Sequence, residues 1–337
     1  MQTVLDEIRT RLTVPLIAAP MFLVSSPELV TAACSAGVVG AFPTANARTT
    51  DELEDWLSRI RTGLAGTTCE YTGLAPAPVA PNLIVHASNA RCDADLLVLQ
   101  SAAPELVITS VGSPARAVGP LHDVGTLVFA DVSSIRHGYR AIEAGADGLV
   151  LLTAGAGGQT GWANPFAFVR AVRRFFGGPV VVAGGISDGV ALRAAIELGA
   201  DLAYMGTKFI ATEESVARRE HKEALIASSL DDVVLTSAFT GLPTSILSAS
   251  MPGDPTSLGT TDMARLLVSE GSTWKDISSC GHSVSGVDTV RPVADLVAAT
   301  LAEYSGRGDR ENVTHTRNRA NVWHSATTHG RIDGHTT

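Results

Sequence analysis

The sequence predicts an α/β fold, a (β/α)8 TIM barrel, and three observations support this class. Eight short apolar runs recur through the first two-thirds of the 337 residues, and each precedes a turn rich in Gly, Pro, Ser or Asn and then a segment of helical periodicity. The runs are almost continuously hydrophobic, as parallel strands buried on both faces are. Eight such units within about 210 residues match a closed parallel barrel.

The eight strand candidates are defined by their apolar cores and by the turn residues that follow them. The helical segments between them are the expected covering layer, because parallel neighbours need a crossover connection. In chain order the candidates are 14–20 (VPLIAAP), 38–44 (VVGAFPT), 81–87 (PNLIVHA), 106–112 (LVITSVG), 126–133 (TLVFADVS), 148–154 (GLVLLTA), 179–185 (PVVVAGG) and 202–209 (LAYMGTKF).

Several covering helices carry recognisable start and stop signals. Thr49 and Glu52 have the spacing of a capping box, and the residues after them form one apolar stripe. Asn164 is a good N-cap with Pro165 at the first helical position. A later helix begins at Ser187 or Asp188 and stops at Gly199.

The chain divides into a barrel and two further segments. The barrel takes residues 1–225 plus 276–305, and its closing helix is expected within 290–304. Residues 226–275 are rich in turn residues and predict a small insertion or cap over one end of the barrel. Residues 306–337 are polar with little that could build a core, which predicts a mobile tail.

Charge and cysteine usage exclude several classes of function. The net charge is −9 and no predicted element carries a basic cluster, so we expect no nucleic-acid partner. The four cysteines are widely spaced without a C-x-x-C pair, which argues against a zinc ribbon and a dense disulfide framework and for reduced thiols in a cytoplasmic protein. The charged N-terminal segment is neither a signal peptide nor a membrane anchor.

Two glycine-bearing loops predict a phosphate site. In this barrel class, phosphate commonly binds in the loops after the seventh and eighth strands. Gly184 and Gly185 in the first loop would let the backbone approach an anion, and Gly206 with Thr207 could add an N–H and a hydroxyl from the second. The alternative is that Gly184 and Gly185 only make a sharp strand-to-helix turn.

The loop TAGAGGQTGW, residues 153–162, follows the sixth strand beside that site. It lacks the lysine of a P-loop and the third glycine of a dinucleotide fingerprint. The remaining reason for its glycines is close approach of the backbone to a flat ligand, with Gln159 presented at the rim. The alternative is a flexible loop with a solvated glutamine.

Three polar residues at strand ends are further candidates. Asn82 can donate and accept hydrogen bonds at an isoalloxazine or amide edge, or be a satisfied amide inside the barrel. His86 could donate a proton, or only bond a carbonyl group. Asp131 could orient a ligand, or cap the next helix at Ser133 and Ser134.

A last candidate segment precedes the closing helix. Residues 278–287 (SSCGHSVSGV) could return across the barrel mouth. Cys280 and His282 within it are only two residues apart, too close for the usual metal-binding pair, and we expect no metal.

Together these motifs resemble the nitronate monooxygenase family, FMN-dependent barrels related to the flavin-dependent enoyl-acyl-carrier-protein reductases. The likeness runs from about Pro15 to about Tyr304. Because the motifs occur as an ordered set, they are specific for the family's barrel and less specific for its substrate. They read AAPMF, PNLIVHASNAR, AGAGGQTG, VVVAGGISDG, YMGTKFIATEES and WKDISSCGHSVSGV.

The resemblance implies how this chain would hold FMN. Residues of the first strand end would pass close to the flavin ring, Asn82 would hydrogen-bond the cofactor, and the glycine-rich loop would lie along it. The phosphate would sit in the two glycine-bearing loops. The implied cofactor-binding residues are Ala19, Pro20, Met21, Asn82, Asp131, Ala156, Gly157, Gly158, Gly184, Gly185, Gly206 and Thr207.

The chain departs from the family pattern at Gln159. The family's better-known members carry a histidine at this position, and that histidine looks like the catalytic base. A carboxamide cannot take a proton from a nitroalkane carbon, because it has no pKa near working pH. Gln159 can still donate a hydrogen bond to a nitronate or carbonyl oxygen, and the alternative is that His86 or His282 supplies a proton from another loop.

The motifs and the departure at Gln159 lead to three candidate functions. The first is an FMN-dependent oxidoreductase of nitronate monooxygenase type that oxidises a nitronate or similar stabilised carbanion with O2. The second is an NAD(P)H-dependent flavin enoyl thioester reductase, with Gln159 on the thioester carbonyl. The third is a flavin-binding barrel without turnover. In each case the partner is a small molecule, and an apolar barrel exterior is compatible with a homodimer.

Overall fold

Eight parallel strands close into a barrel, and their order around it is their order in the chain. The computed structural model describes residues 2–238, 241–251 and 277–306. The last barrel strand pairs with the first, so the sheet has no free edge. The predicted (β/α)8 TIM barrel is confirmed.

Each strand candidate has a counterpart in the barrel, with its ends shifted by a few residues. The ladder ends where the chain turns toward the next helix, so the flanking Gly, Pro and polar residues of the apolar runs fall outside it. The barrel strands are β1 (Leu16–Ala18), β2 (Val39–Pro43), β3 (Val79–Ile84), β4 (Leu106–Ser110), β5 (Leu127–Val132), β6 (Gly148–Leu152), β8 (Val180–Ala183) and β9 (Leu202–Met205).

The helices begin and end largely where the sequence signals place them. Thr49 accepts a hydrogen bond from the Glu52 amide at 3.1 Å, and Asn164 and Asp188 cap their helices as predicted. The helices are α1 (Gln2–Thr10), α2 (Pro27–Ser35), α3 (Thr50–Leu64), α4 (Cys92–Ala102), α5 (Ala115–His122), α6 (Ile135–Glu143), α7 (Pro165–Val172), α8 (Gly189–Glu197), α9 (Thr207–Ile210), α10 (Arg219–Ala227) and α11 (Val293–Tyr304).

Alternation along the strands separates the core into an interior and an outer layer. Leu127 and Phe129 on β5 pack inside the barrel, whereas Val128 and Ala130, which alternate with them, pack against the covering helices. Successive side chains of a strand point to opposite faces, so every second residue of each strand enters the barrel. The interior is therefore a packed apolar core, and a ligand can bind only beyond its end.

Helix α1 covers the amino-terminal end of the barrel. Its Ile8 is 1% exposed and belongs to the cluster of interior side chains, and Leu12 packs against that cluster. Arg9 forms an ion pair with Asp201, which also pairs with Arg173. This end is closed, so the opposite end is the one open to a ligand.

A small antiparallel sheet lies outside the barrel and was not predicted. It consists of β7 (Gly158–Gln159), β11 (Thr244–Leu247) and β10 (Val233–Thr236), with β11 in the middle. The sequence gives no strand signal at β7, because Gly-Gln has neither apolar alternation nor β-branched residues. The described part of the predicted insertion thus contacts the glycine-rich loop through backbone pairing.

The remaining predicted segments are covered only in part. The closing helix expected within 290–304 is α11. Residues 252–276 of the predicted insertion, and the predicted tail from residue 307 onward, lie outside the described residues. Within the described residues, each helix is too short or too polar to span a bilayer.

Substitution of Gly148 on β6 tests the packing of the barrel interior. It pairs with Phe129 in register, and a methyl group added to it would lie 2.6 Å from ring carbons of Phe129. We expect Gly148→Ala to lower the free energy of unfolding by about 1–3 kcal/mol, because a packed interior does not accept an extra methyl. Denaturant unfolding measures the change.

Gly177 is the matched control, because a methyl group there meets no atom within 4 Å. Gly177→Ala should shift the unfolding free energy by less than about 1 kcal/mol. Combining Gly148→Ala with Phe129→Leu should recover part of the loss. Equal effects at positions 148 and 177 would contradict this account of the interior.

Candidate active site

A large cavity opens at the carboxyl ends of the barrel strands. It contains about 1380 Å³ of empty space, including its open mouth. Each barrel strand contributes to it, because the inward position nearest each carboxyl end is the last one above the packed core. These positions are occupied by Ala19, Pro43, Ile84, Ser110, Asp131, Leu152, Ala183 and Tyr204.

Gln159 lies at the rim of the cavity and is held there by the small sheet. It pairs with Thr244, and Gly158 pairs with Ser245 on the same strand β11. The Thr160 amide donates to the Pro243 carbonyl at 3.1 Å. The backbone of Gln159 is therefore paired with the small sheet, and its side-chain amide has no hydrogen-bond partner among the described residues, as the solvated-glutamine alternative expects.

The glycines of this loop are required by neighbouring backbone. A Cβ on Gly157 would lie 2.8 Å from the Gly281 amide nitrogen, and one on Gly161 would lie 2.0 Å from the Leu152 carbonyl oxygen. Segment 278–287 therefore does cross the barrel mouth, directly against the loop. The sequence predicts a flat ligand beside these glycines, whereas at Gly157 and Gly161 protein backbone occupies the space where a Cβ would lie.

The predicted phosphate loops both line the cavity. Gly184 and Gly185 line the cavity and have φ of +131° and +73°, so they also make the sharp strand-to-helix turn of the alternative interpretation. The place of a Cβ on Gly185 is open space, which leaves room beside its backbone for a ligand. The Thr207 hydroxyl accepts a hydrogen bond from the Gly281 amide at 2.9 Å, so this residue also ties the crossing segment to α9.

Asn46 fixes the loop between β1 and α2 and was missed from the sequence. Its side chain donates to the carbonyl oxygens of Met21 at 3.0 Å and Ser25 at 2.8 Å and accepts from the Leu23 amide at 3.0 Å. These bonds hold Leu23 at a φ of +59°. Asn46 is remote from the loop in sequence, and only its position after a strand could have drawn attention to it.

Asn82 is placed to present its amide nitrogen to the cavity. The Ser110 hydroxyl donates to Asn82 Oδ1 at 2.9 Å, and the Nδ2 atom has no partner among the described residues. Val111, which follows Ser110, has a φ of +58° and also lines the cavity. Such strain in a β-branched residue is costly and is concentrated at ligand sites.

Asp131 on β5 and Tyr204 on β9 project into the top of the barrel. Buried polar atoms without any hydrogen-bond partner include Asp131 Oδ1 and the Tyr204 hydroxyl. Burial raises the pKa of the Asp131 carboxyl from 3.8 to about 8. Burial and, secondarily, the carboxyl of Asp131 raise the pKa of Tyr204 above its usual range.

The capping alternative for Asp131 is wrong. Helix α6 is capped by Ser134, whose hydroxyl accepts from the His137 amide at 3.2 Å. Asp131 faces the barrel interior, where it cannot reach that helix terminus.

The two histidines considered as proton donors both lie outside the cavity lining. His86 is exposed, and its Nδ1 is 2.7 Å from the Ser88 hydroxyl oxygen. His282 is exposed on the crossing segment, with its amide bonded to the Gly155 carbonyl at 3.0 Å. In the described parts of the chain, no Lys, Arg or His lines the cavity.

Comparison with known proteins identifies the family. The nitronate monooxygenase family model matches residues 77–266. A nitronate monooxygenase of Pseudomonas aeruginosa is 31% identical, over 72% of this chain and 80% of the relative. One of Paraburkholderia phytofirmans is 30% identical, over 73% and 75%. The chain belongs to the nitronate monooxygenase family. This family consists of flavin-dependent oxidoreductases, so the chain is an enzyme of that class.

Other relatives widen the range of chemistry. An octahydro-indene carboxyl-CoA dehydrogenase of Rhodococcus jostii is 27% identical over 70% of this chain, and the chain spans only 63% of that relative's length. The structure of FabK from Thermotoga maritima superimposes with a TM-score of 0.74 at 25% identity, covering 95% of this chain and 98% of FabK.

The cavity fits the flavin that this family uses. A flavin needs flat apolar walls, polar partners along one edge of the ring and open backbone near its phosphate. Ala19, Met21 and Ala156 supply apolar wall, Asn82 supplies an uncommitted amide, and Gly185 leaves its backbone open. Asp131 Oδ1 and the Tyr204 hydroxyl are further polar atoms without a protein partner.

The raised pKa of Asp131 predicts a specific pH dependence of stability. The folded chain keeps this proton up to about pH 8, whereas the unfolded chain loses it near 3.8. Because the folded state then binds more protons, this group's contribution to stability falls as pH rises between those values. The flavin-free Asp131→Asn variant should therefore gain roughly 2–4 kcal/mol over wild type between pH 5 and pH 8. Denaturant unfolding at both pH values tests this.

Tyr204→Phe serves as the control, since it removes the facing phenol and leaves the carboxyl in place. Its stability relative to wild type should be the same at both pH values. An Asp131→Asn advantage that does not change with pH would contradict the protonated state of Asp131.

Proposed function

We propose that this protein is an FMN-dependent oxidoreductase that oxidises preformed, anionic nitronates with O2 as electron acceptor. The observation that carries the proposal is the composition of the cavity. Its described lining presents the amides of Gln159 and Asn82 and the carboxyl of Asp131, but no imidazole or amine. Abstraction of a carbon-bound proton needs an unprotonated base with a pKa near working pH. Asp131, the one carboxyl of the described lining, holds its proton below about pH 8 because burial raises its pKa. A nitronate has already lost that proton and needs no such base.

Gln159 is the residue placed to recognise the substrate. Its backbone is fixed by pairing with Thr244, and its uncommitted amide can donate to a nitronate oxygen. Since the carboxamide carries no charge, it orients the anion without taking part in proton transfer. Pairing of the backbone keeps this donor at the rim of the cavity, where it can approach a bound anion.

FMN would be held by residues from several strand ends. Asn82 would hydrogen-bond the ring edge, Gly157 and Gly158 would lie along it, and Gly184, Gly185, Gly206 and Thr207 would surround the phosphate. When bound, the cofactor supplies the two-electron chemistry that no side chain of this cavity provides. The crossing segment contributes Cys280 and Gly281 to the wall of the same space.

A second candidate is reduction of an enoyl thioester by NAD(P)H through the bound flavin. The observation that favours it is the similarity to the carboxyl-CoA dehydrogenase of Rhodococcus jostii. In that reaction the Gln159 amide would bind the thioester carbonyl. The third candidate, a flavin-binding barrel without turnover, has less support because the chain belongs to an enzyme family.

An anaerobic absorbance titration separates these candidates. We expect the purified protein, reconstituted with FMN, to lose its flavin absorbance on addition of propionate 3-nitronate, because the substrate delivers electrons without needing a base. Bleaching by NADPH alone would favour the thioester reaction. Failure to retain any flavin would remove both enzyme proposals.

Replacing Gln159 tests whether the lack of a base at this position explains the preference for preformed nitronates. Gln159→His introduces an imidazole at the rim, and we expect turnover of neutral nitroethane to rise by about 10²-fold. The gain should increase with pH as the imidazole loses its proton. Initial rates of O2 consumption give the result. Gln159→Asn keeps the amide and should show no such gain, and wild-type turnover of nitroethane equal to the histidine variant would contradict the proposal.

A further inference from the structure

Asp131 is the unexplained group of this site. It is the only residue with a formally ionic side chain among the described residues that line the cavity. It faces inward with Leu127 and Phe129 below it, and its Oδ1 is buried without a partner. A carboxylate in that position would oppose every anion entering the cavity, including the nitronate.

No described cation offsets this carboxyl. Tyr204 on β9 is the titratable group that faces it across the barrel, and the adjacent strands β4 and β6 contribute no ionisable side chain. Helices α5 and α6 pack on the outer face of β5, on the side of Val128 and Ala130. Their ionisable residues are Arg116, His122, Arg136, His137, Tyr139, Arg140 and Glu143, and His122 pairs with Asp147.

We propose that Asp131 works as a neutral carboxylic acid that donates its O–H to the anion bound in this cavity. The proposal rests on the proposed function, since the anion in question is the nitronate. Burial favours the protonated acid, as does the lack of a partner for Oδ1. A carboxylic acid in an apolar site is then a hydrogen-bond donor, as in sites that stabilise an oxyanion.

The role sets an upper pH limit for anion binding. Below about pH 8 the acid donates a hydrogen bond, and above it the carboxylate both loses the donor and repels the ligand. Gln159 at the rim and Asp131 at the barrel top would then be two donors to one planar anion, from different elements of the fold. Asp131 thereby selects anionic substrates by its protonation state.

Binding of nitrite to the FMN-loaded protein tests this. Nitrite is a planar inorganic anion that stays ionised over the range, and perturbation of flavin absorbance reports its Kd. In wild type we expect the Kd to rise about tenfold per pH unit above pH 8, as one-proton linkage requires. Asp131→Asn keeps a donor and cannot ionise, so its Kd should stay near the wild-type value at pH 6.5 and not change with pH.

Tyr204→Phe tests whether the phenol rather than the Asp131 carboxyl causes the pH dependence of the Kd. This variant should retain the wild-type pH dependence. A pH-independent wild-type Kd, the same rise in Asp131→Asn, or no nitrite binding by wild type at any pH would each overturn the proposal. Loss of the pH dependence in Tyr204→Phe alone would reassign it to the phenol and overturn it equally.

An infrared titration of flavin-free protein makes the test independent of the proposed function. The wild type minus Asp131→Asn difference spectrum should contain the carbonyl band of a protonated carboxylic acid, lost with a midpoint near pH 8. A carboxylate band already present at pH 6 would overturn the proposal. A protonated Asp131 in a protein that does not oxidise nitronates would refute only the proposed function.

Discussion

Closure of the sheet by the β9–β1 pairing is the constraint on which the site depends. With Leu16 opposite Ala203 and Ala18 opposite Met205, no strand can slip without breaking the ring. Because side chains alternate strictly, the register decides which residues face inward. Asp131 and Tyr204 stand above the packed interior only because their strands hold this register. The cavity is thus a direct consequence of closure.

Backbone contact between two distant segments shapes the cavity mouth. Gly157 and Gly281 approach so closely that neither position has room for a Cβ. The same crossing segment is bound by Thr207 from α9, so the phosphate loop and the mouth are parts of one structure. The glycines of this loop are therefore required both for the fold and for the shape of the cavity mouth. Strand β11 adds a third contact by fixing the backbone of Gln159.

Desolvation accounts for the chemistry of the cavity. Apolar walls raise the pKa of Asp131, and they raise that of Cys280 to about 12 through burial, so its thiol is neutral. With no described cation in the lining, binding of an anion depends on neutral donors. An amide, a carboxylic acid and backbone amides can supply these, and a site of this kind suits a substrate that brings its own negative charge.

Local signals in the sequence are enough to predict the barrel, its eight strands, the caps of three helices and the loops that line the cavity. Apolar runs, N-cap residues and glycine pairs are local signals, and each acts within a few residues of the chain. Family membership followed from the same ordered motifs. Even so, the sequence could not choose between a ligand and a capping role for Asp131, because both are compatible with a strand end.

Only the tertiary structure decided the contacts between segments far apart in the chain. It placed His86 and His282 outside the cavity, bound Asn46 to the β1–α2 loop and paired Gln159 with Thr244. It also left the Asp131 carboxyl without a partner. Burial and hydrogen bonding depend on what the rest of the chain brings to a residue, and one-dimensional spacing carries no record of that. The fold was therefore readable from local pattern, whereas the burial and partners of its site residues came from packing.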